Sequence, residues 1–138
     1  MKRTAKAQWF GNLKEGRGEI TSQSGILNNT NYSFKTRFAD GETGTNPEEL
    51  LAAAHAGCFT MAVSAALTEK GLNPTALKTE ATVQMEGLSI TSVHLSIVGE
   101  VAGISAEEFE AITKVAEKNC LISKVLSITI SSEAHLVL

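Results

Sequence analysis

Residues 46–70 read NPEELLAAAHAGCFTMAVSAALTEK. Asn46 is a good N-cap, Pro47 suits the first helical position, and Glu48 and Glu49 complement the helix dipole in the first turn. The pattern predicts a helix from Pro47 to about Lys70, stopped by Gly71. At 1.5 Å per residue it is about 36 Å long. Inside it, Leu50–Leu67 runs 18 residues without a formal charge, the lower length limit for a membrane span. Seven of those residues are Ala, and His55, Gly57, Thr60 and Ser64 interrupt them. Such weak hydrophobicity favours a buried helix in a soluble protein. Because the helix is apolar nearly all round, it is expected to be enclosed on most sides. A short chain has few elements with which to do this, and a homodimer packing two such helices together would supply the cover.

Upstream of this helix, Ala5–Phe10, Arg17–Ser22 and Tyr32–Phe38 read as short strands separated by Gly- and Asn-rich turns. Downstream, the apolar period changes to two. Leu77, Ala81, Val83 and Met85 alternate with polar residues, and after a turn at Glu86–Gly87 so do Val93, Leu95 and Ile97, which predicts a hairpin with one wet face. Ser105 and Glu108 have the spacing of a capping box opening a helix to about Asn119, with Phe109, Ile112, Val115 and Ala116 as its apolar stripe. Leu121–Leu126 fits a short helix and Ser127–Leu138 a final strand. The expected order is βββ-α-ββ-αα-β, an α+β arrangement in one domain spanning 1–138.

The composition agrees with that size. The chain has 138 residues, 43% of them apolar and 20% charged, which is globular rather than disordered. Aromatic residues make up only 5%, so the core must be mainly Ala, Val, Ile and Leu. A net charge of −3 speaks against nucleic acid as a partner. Lys2, Arg3 and Lys6 resemble the start of a signal peptide, but no apolar stretch follows them. An intracellular, reducing location, the cytoplasm, is expected. There is no P-loop, GxGxxG, HExxH or CxxC pair.

Two cysteines, Cys58 and Cys120, lie 62 residues apart. Either alone reads as a small buried hydrophobe. Together they admit redox chemistry: Cys120 sits between two helices, where the amides of the second favour a thiolate, as a resolving cysteine needs. Cys58, inside a helix, needs a cation from elsewhere in the fold. Arg37, at the end of the third predicted strand, is a candidate, because its guanidinium stays charged and can hold a carboxylate together with a small oxygen ligand. It reads equally as a solvated strand-end charge. Glu48 reads as a dipole-stabilising acid or as the partner that orients an arginine. It precedes Cys58 by ten residues, about 15 Å along the axis, and cannot reach that thiol on its own helix. One site holding both would need Glu48 of one subunit to meet Cys58 of the other, or Arg37 to bridge them. His55, three residues before Cys58, shares its face and reads as a buried hydrogen-bonded His or as a nucleophile's partner. His94 and His135 form no metal spacing.

With these residues in view, Gly44–Ser64 (GTNPEELLAAAHAGCFTMAVS) resembles the signature of the OsmC branch of the OsmC/Ohr family. SGILN at Ser24–Asn28, Phe-x-Thr-Arg-Phe at Phe34–Phe38 and Asn-Cys-x-x-Ser-x-x-Leu at Asn119–Leu126 match in the same order. The resemblance implies a thiol peroxidase that reduces organic hydroperoxides, and hydrogen peroxide less efficiently, in stress defence. It implies an intertwined homodimer with two central helices wrapped by sheets. The peroxidatic cysteine falls on Cys58, the resolving cysteine on Cys120, the arginine on Arg37 (in the Ohr branch, nearest to Arg17) and the glutamate on Glu48. The family's proline after the second cysteine is here Leu121, which removes a preset for the following turn.

The implied chemistry needs no metal, haem or flavin. Arg37, held by Glu48, stabilises the Cys58 thiolate. The thiolate takes the outer peroxide oxygen, and Cys120 then closes a disulfide that an external dithiol, dihydrolipoamide or a lipoylated protein, reduces. Phe59 and Met61 read as walls of an apolar substrate pocket or as core. The alternatives are a non-catalytic ligand-binding or redox-sensing protein of the same fold, and a structural dimer with inert thiols.

Overall fold

The structure, a computed structural model, describes residues 1–137. The elements are β1 (Ala5–Phe10), β2 (Arg17–Ser22), β3 (Thr30–Tyr32), α1 (Phe34–Phe38), α2 (Pro47–Glu69), β4 (Ala76–Glu86), β5 (Ser89–Glu100), α3 (Ala106–Asn119), α4 (Leu121–Val125) and β6 (Thr129–Val137). The class is α+β, with two three-stranded sheets and one helix more than the sequence suggests. The chain forms two compact units, Met1–Leu50 and the residues from Leu51 on.

In the first unit β1, β2 and β3 form an antiparallel meander. Trp9 and Tyr32 pair with ring centroids 5.6 Å apart. Gly18 lies so close to them that a Cβ would strike the Tyr32 ring and come within 2.8 Å of Trp9, so only glycine fits there. The third strand is shorter than expected. Tyr32–Phe38 does not continue as a strand, because the backbone turns at Ser33 into α1. Ser33 Oγ accepts from the Thr36 amide at 3.1 Å and Thr36 Oγ1 accepts from the Ser33 amide at 2.7 Å, a complete capping box. Phe34 and Phe38 are therefore one helical turn apart, with ring centroids at 5.0 Å, rather than on one side of a strand. Asn46 opens α2 as expected, accepting from the Glu49 amide at 2.7 Å, while its Nδ2 donates to the Thr36 carbonyl at 3.0 Å.

In the second unit the order is β4-β5-β6. The β4–β5 hairpin is antiparallel with a shift at Gln84/Met85. β6 pairs parallel to β5, a return that needs the crossover supplied by α3 and α4. The predicted alternation holds, with Val93, Leu95 and Ile97 fully buried. They form one core with Phe59, Val63 and Leu67 of α2 and Phe109, Ile112 and Ala116 of α3. A Cβ at Gly99 would run into the Phe109 ring, so the small residue lets α3 lie close to β5.

Two expectations need correction here. Ser105 caps α3 by accepting from the Glu108 amide at 3.1 Å, but the return bond that would complete a box is not made. In the α3 stripe Val115 is 57% exposed, and Thr113 is buried in its place. The Thr113 hydroxyl donates to the Glu110 carbonyl at 2.7 Å, which removes the cost of burying it.

The α2 helix is not enclosed on most sides within the chain. A single stripe at every fourth residue, His55, Phe59, Val63 and Leu67, is buried. Ala53, Ala54, Gly57, Met61 and Ala65 remain open. By length and composition α2 could cross a membrane, with mean hydropathy 1.7 over its most apolar window, of which 22% is buried.

Candidate active site

Two of the four expected site residues meet in the first unit. Arg37 lies in the α1 turn, and Glu48 in the first turn of α2. Arg37 Nη2 is 2.6 Å and Nε 2.8 Å from the same oxygen, Glu48 Oε1. The Glu48 side chain is 8% exposed against 44% for Arg37, so a buried carboxylate fixes a guanidinium whose outer edge stays open. Glu48 Oε2 is buried with no hydrogen-bond partner among the described residues.

Arg17 is placed differently. It lies in β2, 58% exposed, with Nη1 2.8 Å from Glu19 and its guanidinium 4.5 Å above the Phe10 ring. It does not pair with Glu48.

Beside Arg37 the first unit has an apolar pocket of about 320 Å³, lined by Trp9, Leu13, Tyr32, Ser33, Phe34, Arg37 and Phe38. Four of the chain's seven aromatic residues gather at it. No periodicity along the chain reveals this pocket, because its wall comes from β1, the loop after it, β3 and α1. Phe59, one of the expected pocket walls, is fully buried in the core of the second unit, and Met61 is 75% exposed on the open side of α2.

The other two expected residues meet in the second unit. Cys58 is half-buried, Cys120 is buried, and neither is in a disulfide. The thiols are close enough for each to act on the other's ionisation. Burial, followed by the Cys120 sulfur, pushes the Cys58 thiol up. Burial pushes Cys120 up too, but Cys58, the Ser123 amide and hydroxyl and the Ile122 amide outweigh it and bring Cys120 down. The amides of α4 therefore act on Cys120 as its place between two helices predicts, although no side-chain capping bond closes there. Helix α4 begins at Leu121 without the proline.

His55 is fully buried, and its Nε2 is 2.8 Å from Ser123 Oγ. Burial holds its pKa below the ordinary value, opposed by the Glu117 carboxylate. Reading α2 alone could not reveal Ser123 as its partner, since the contact spans 68 residues. His94 and His135 both reach Glu133, at 3.1 and 3.3 Å.

The geometry thus comprises a dithiol in one unit and a carboxylate-held guanidinium beside an aromatic pocket in the other. A model of the family described as OsmC-like protein matches residues 39–133. The chain belongs to the OsmC-like family. It is 43% identical over 135 residues to "Peroxiredoxin OsmC" of Escherichia coli (strain K12), covering 95% of this chain and 94% of the relative. It is also 38% identical over 94 residues to "Organic hydroperoxide resistance protein OhrA" of Bacillus subtilis (strain 168), covering 62% of each. An OsmC-like protein of solved structure from Mycoplasma pneumoniae superposes with a TM-score of 0.75 at 15% identity, covering 100% of this chain and 99% of that one, which establishes the fold.

Proposed function

We propose that this OsmC-like protein is a thiol peroxidase that reduces organic hydroperoxides through Cys58 and Cys120. That it is a peroxidase of the family rests on its identity to a peroxiredoxin over nearly the whole chain. An organic hydroperoxide as substrate draws support from the relative named for resistance to such compounds. The observation that carries the residue assignment is the pairing of a half-buried Cys58 with a buried Cys120 in one core. A peroxide can reach the first from outside; the second is reached from within.

The Cys58 thiolate attacks the outer peroxide oxygen, the O–O bond breaks, and the alkoxide leaves as alcohol once protonated. Cys58 is then a sulfenic acid. The Cys120 sulfur attacks it, an S–S bond forms, the S–O bond breaks and water leaves. A small dithiol such as dihydrolipoamide, or a lipoylated protein, is oxidised as it restores both thiols. Residue chemistry alone carries each step, with no metal, haem or flavin.

Burial raises Cys58, so the thiolate needs a cation. Arg37, oriented by Glu48, supplies it and hydrogen-bonds the peroxide, while the aromatic pocket beside Arg37 takes the organic group. We read the working unit as a homodimer, in which the open Ala-Gly-Met face of α2 packs on a second copy and an Arg37–Glu48 pair serves each Cys58. Close approach of two helices through small residues suits that face. The two units are read as parts of one domain, since the family match runs across their boundary. A cytoplasmic location completes the reading, because a reducing compartment keeps both thiols free.

Reduced protein mixed with cumene hydroperoxide tests this proposal. One equivalent of alcohol should form per thiol pair, with loss of both free thiols. Unchanged thiols after complete mixing would favour the non-catalytic alternative.

A further inference from the structure

Helix α2 carries His55 and Cys58 three residues apart, and the α4 segment carries Cys120 and Ser123 three residues apart. Residues at that spacing share a helical face. The two faces meet in register: Cys58 opposes Cys120, and His55 Nε2 lies 2.8 Å from Ser123 Oγ. The thiol pair is thus flanked by a second pair that the peroxidase steps above leave idle.

We propose that Ser123 and His55 form a proton relay for Cys120, accepting its proton as it attacks the Cys58 sulfenic acid. In this relay Ser123 takes the proton from the reacting sulfur, and His55 acts through Ser123 as a positioning and proton-holding residue. The inference rests on the peroxidase reading for the step that it serves.

Ser123 follows Cys120 by three residues, one helical turn, and its hydroxyl and amide both favour the Cys120 thiolate. His55 is 0% exposed, so a fully buried imidazole has been placed against a serine hydroxyl where a leucine would pack at less cost. Its Nδ1 is buried with no hydrogen-bond partner among the described residues, as is Glu117 Oε1 on α3, the carboxylate that acts on this imidazole. That carboxylate stabilises the imidazolium a relay would form, in opposition to burial. Lys114 lies 3.9 Å from the same carboxylate oxygen and donates to the Ser132 carbonyl at 2.6 Å. Among the described residues Glu117 is the charged group that acts on His55, with Lys114 beyond it on α3 and the two thiols on the far side of Ser123.

As the Cys120 sulfur forms the S–S bond, its proton passes to Ser123 Oγ and the hydroxyl proton passes to His55 Nε2. The leaving hydroxide of the sulfenic acid takes up one proton and departs as water, and His55 returns to neutral. No oxidant beyond the hydroperoxide enters.

The test separates the relay from the peroxidase assignment. In Cys58→Ser protein Cys120 is the remaining thiol, and its ionisation can be followed by thiolate ultraviolet absorbance without any peroxide. Adding Ser123→Ala should move that titration up, and Ser123→Thr, which keeps the hydroxyl, should restore it. In the two-cysteine protein, Ser123→Ala and His55→Gln should slow sulfenic acid disappearance by roughly 10- to 100-fold, far more than they slow its formation. The rate profile from about pH 5 to about 9 should shift upward, and the double variant should be no slower than Ser123→Ala alone. An unmoved Cys120 titration, or a profile in Ser123→Ala identical to wild type, overturns the relay. Absence of any sulfenic acid in wild type would instead overturn the peroxidase reading, and the titration would still decide the Ser123–Cys120 link.

Discussion

Arg37 aims Nε and Nη2 at a single oxygen of Glu48, at 2.8 and 2.6 Å, rather than spreading across both oxygens. The guanidinium is therefore held by one edge, and its remaining N–H groups have no partner among the described residues, which leaves them for the peroxide or thiolate of the proposed reaction. Glu48 costs solvation to bury, and in the proposed mechanism its role lies in where it places Arg37.

Glu48→Gln keeps the shape and removes the charge that fixes the guanidinium. Peroxidase kcat/KM toward cumene hydroperoxide should fall by about 100-fold, the scale of an ångström-level misplacement. Arg37→Lys should fall comparably, because a point charge cannot make the same two-donor contact. Steady-state kinetics check both.

Arg37→Ala leaves the Glu48 carboxylate, with its 8% exposed side chain, without a counter-ion. Unfolding stability should drop by roughly 1–3 kcal/mol, and Glu48→Gln in that background should recover part of it. Urea unfolding at neutral pH reads the difference.

Phe38 contributes a wall of the aromatic pocket and is 40% exposed. Phe38→Ala should raise KM for cumene hydroperoxide by about tenfold, the effect of losing part of an aromatic contact. KM for hydrogen peroxide, which has no organic group, should hardly move. Equal changes for both substrates would remove the pocket from substrate binding.

His55 has a folded pKa held below its ordinary value of about 6.5, chiefly by burial. A group depressed in this way binds its proton sooner in the unfolded chain, so its contribution to stability is intact above about pH 6.5 and declines as pH falls toward the folded value. Urea midpoints should fall across that window in wild type and flatten there in His55→Gln.

Gly57 lies on the open face of α2, and a Cβ there would meet nothing within 4 Å in the single chain. Gly57→Glu should leave the protomer folded, since any ordinary residue suits a helix interior better than glycine. It should convert the proposed dimer to monomer in sedimentation velocity. A wild-type chain that is monomeric at micromolar concentration would contradict the dimer itself.

Much of this architecture is legible in the sequence because local signals agree with tertiary demands. Asn46-Pro47-Glu48-Glu49 marks the start of α2, and the alternation in β4 and β5 records a sheet with one buried face. Where local signals conflict, the reading fails. Phe34, Phe38 and the residues between them suit a strand by composition, and only the reciprocal Ser33–Thr36 bonds decide for a helical turn. Likewise α2 is apolar all round, and nothing in its sequence tells the buried stripe through His55 and Phe59 from the open one through Gly57. The four proposed site residues were legible from motif resemblance. The aromatic pocket and the His55–Ser123 contact were not, because each joins residues distant in the chain.

The central claim is that Cys58 takes the peroxide oxygen and Cys120 resolves it. Intact mass measured after one equivalent of cumene hydroperoxide tests it most directly. Wild type should lose two hydrogens as the disulfide closes, Cys120→Ser should gain one oxygen on Cys58, and Cys58→Ser should keep its mass and consume no peroxide. Peroxide consumption by Cys58→Ser, or an oxygen retained on Cys120, would contradict the account.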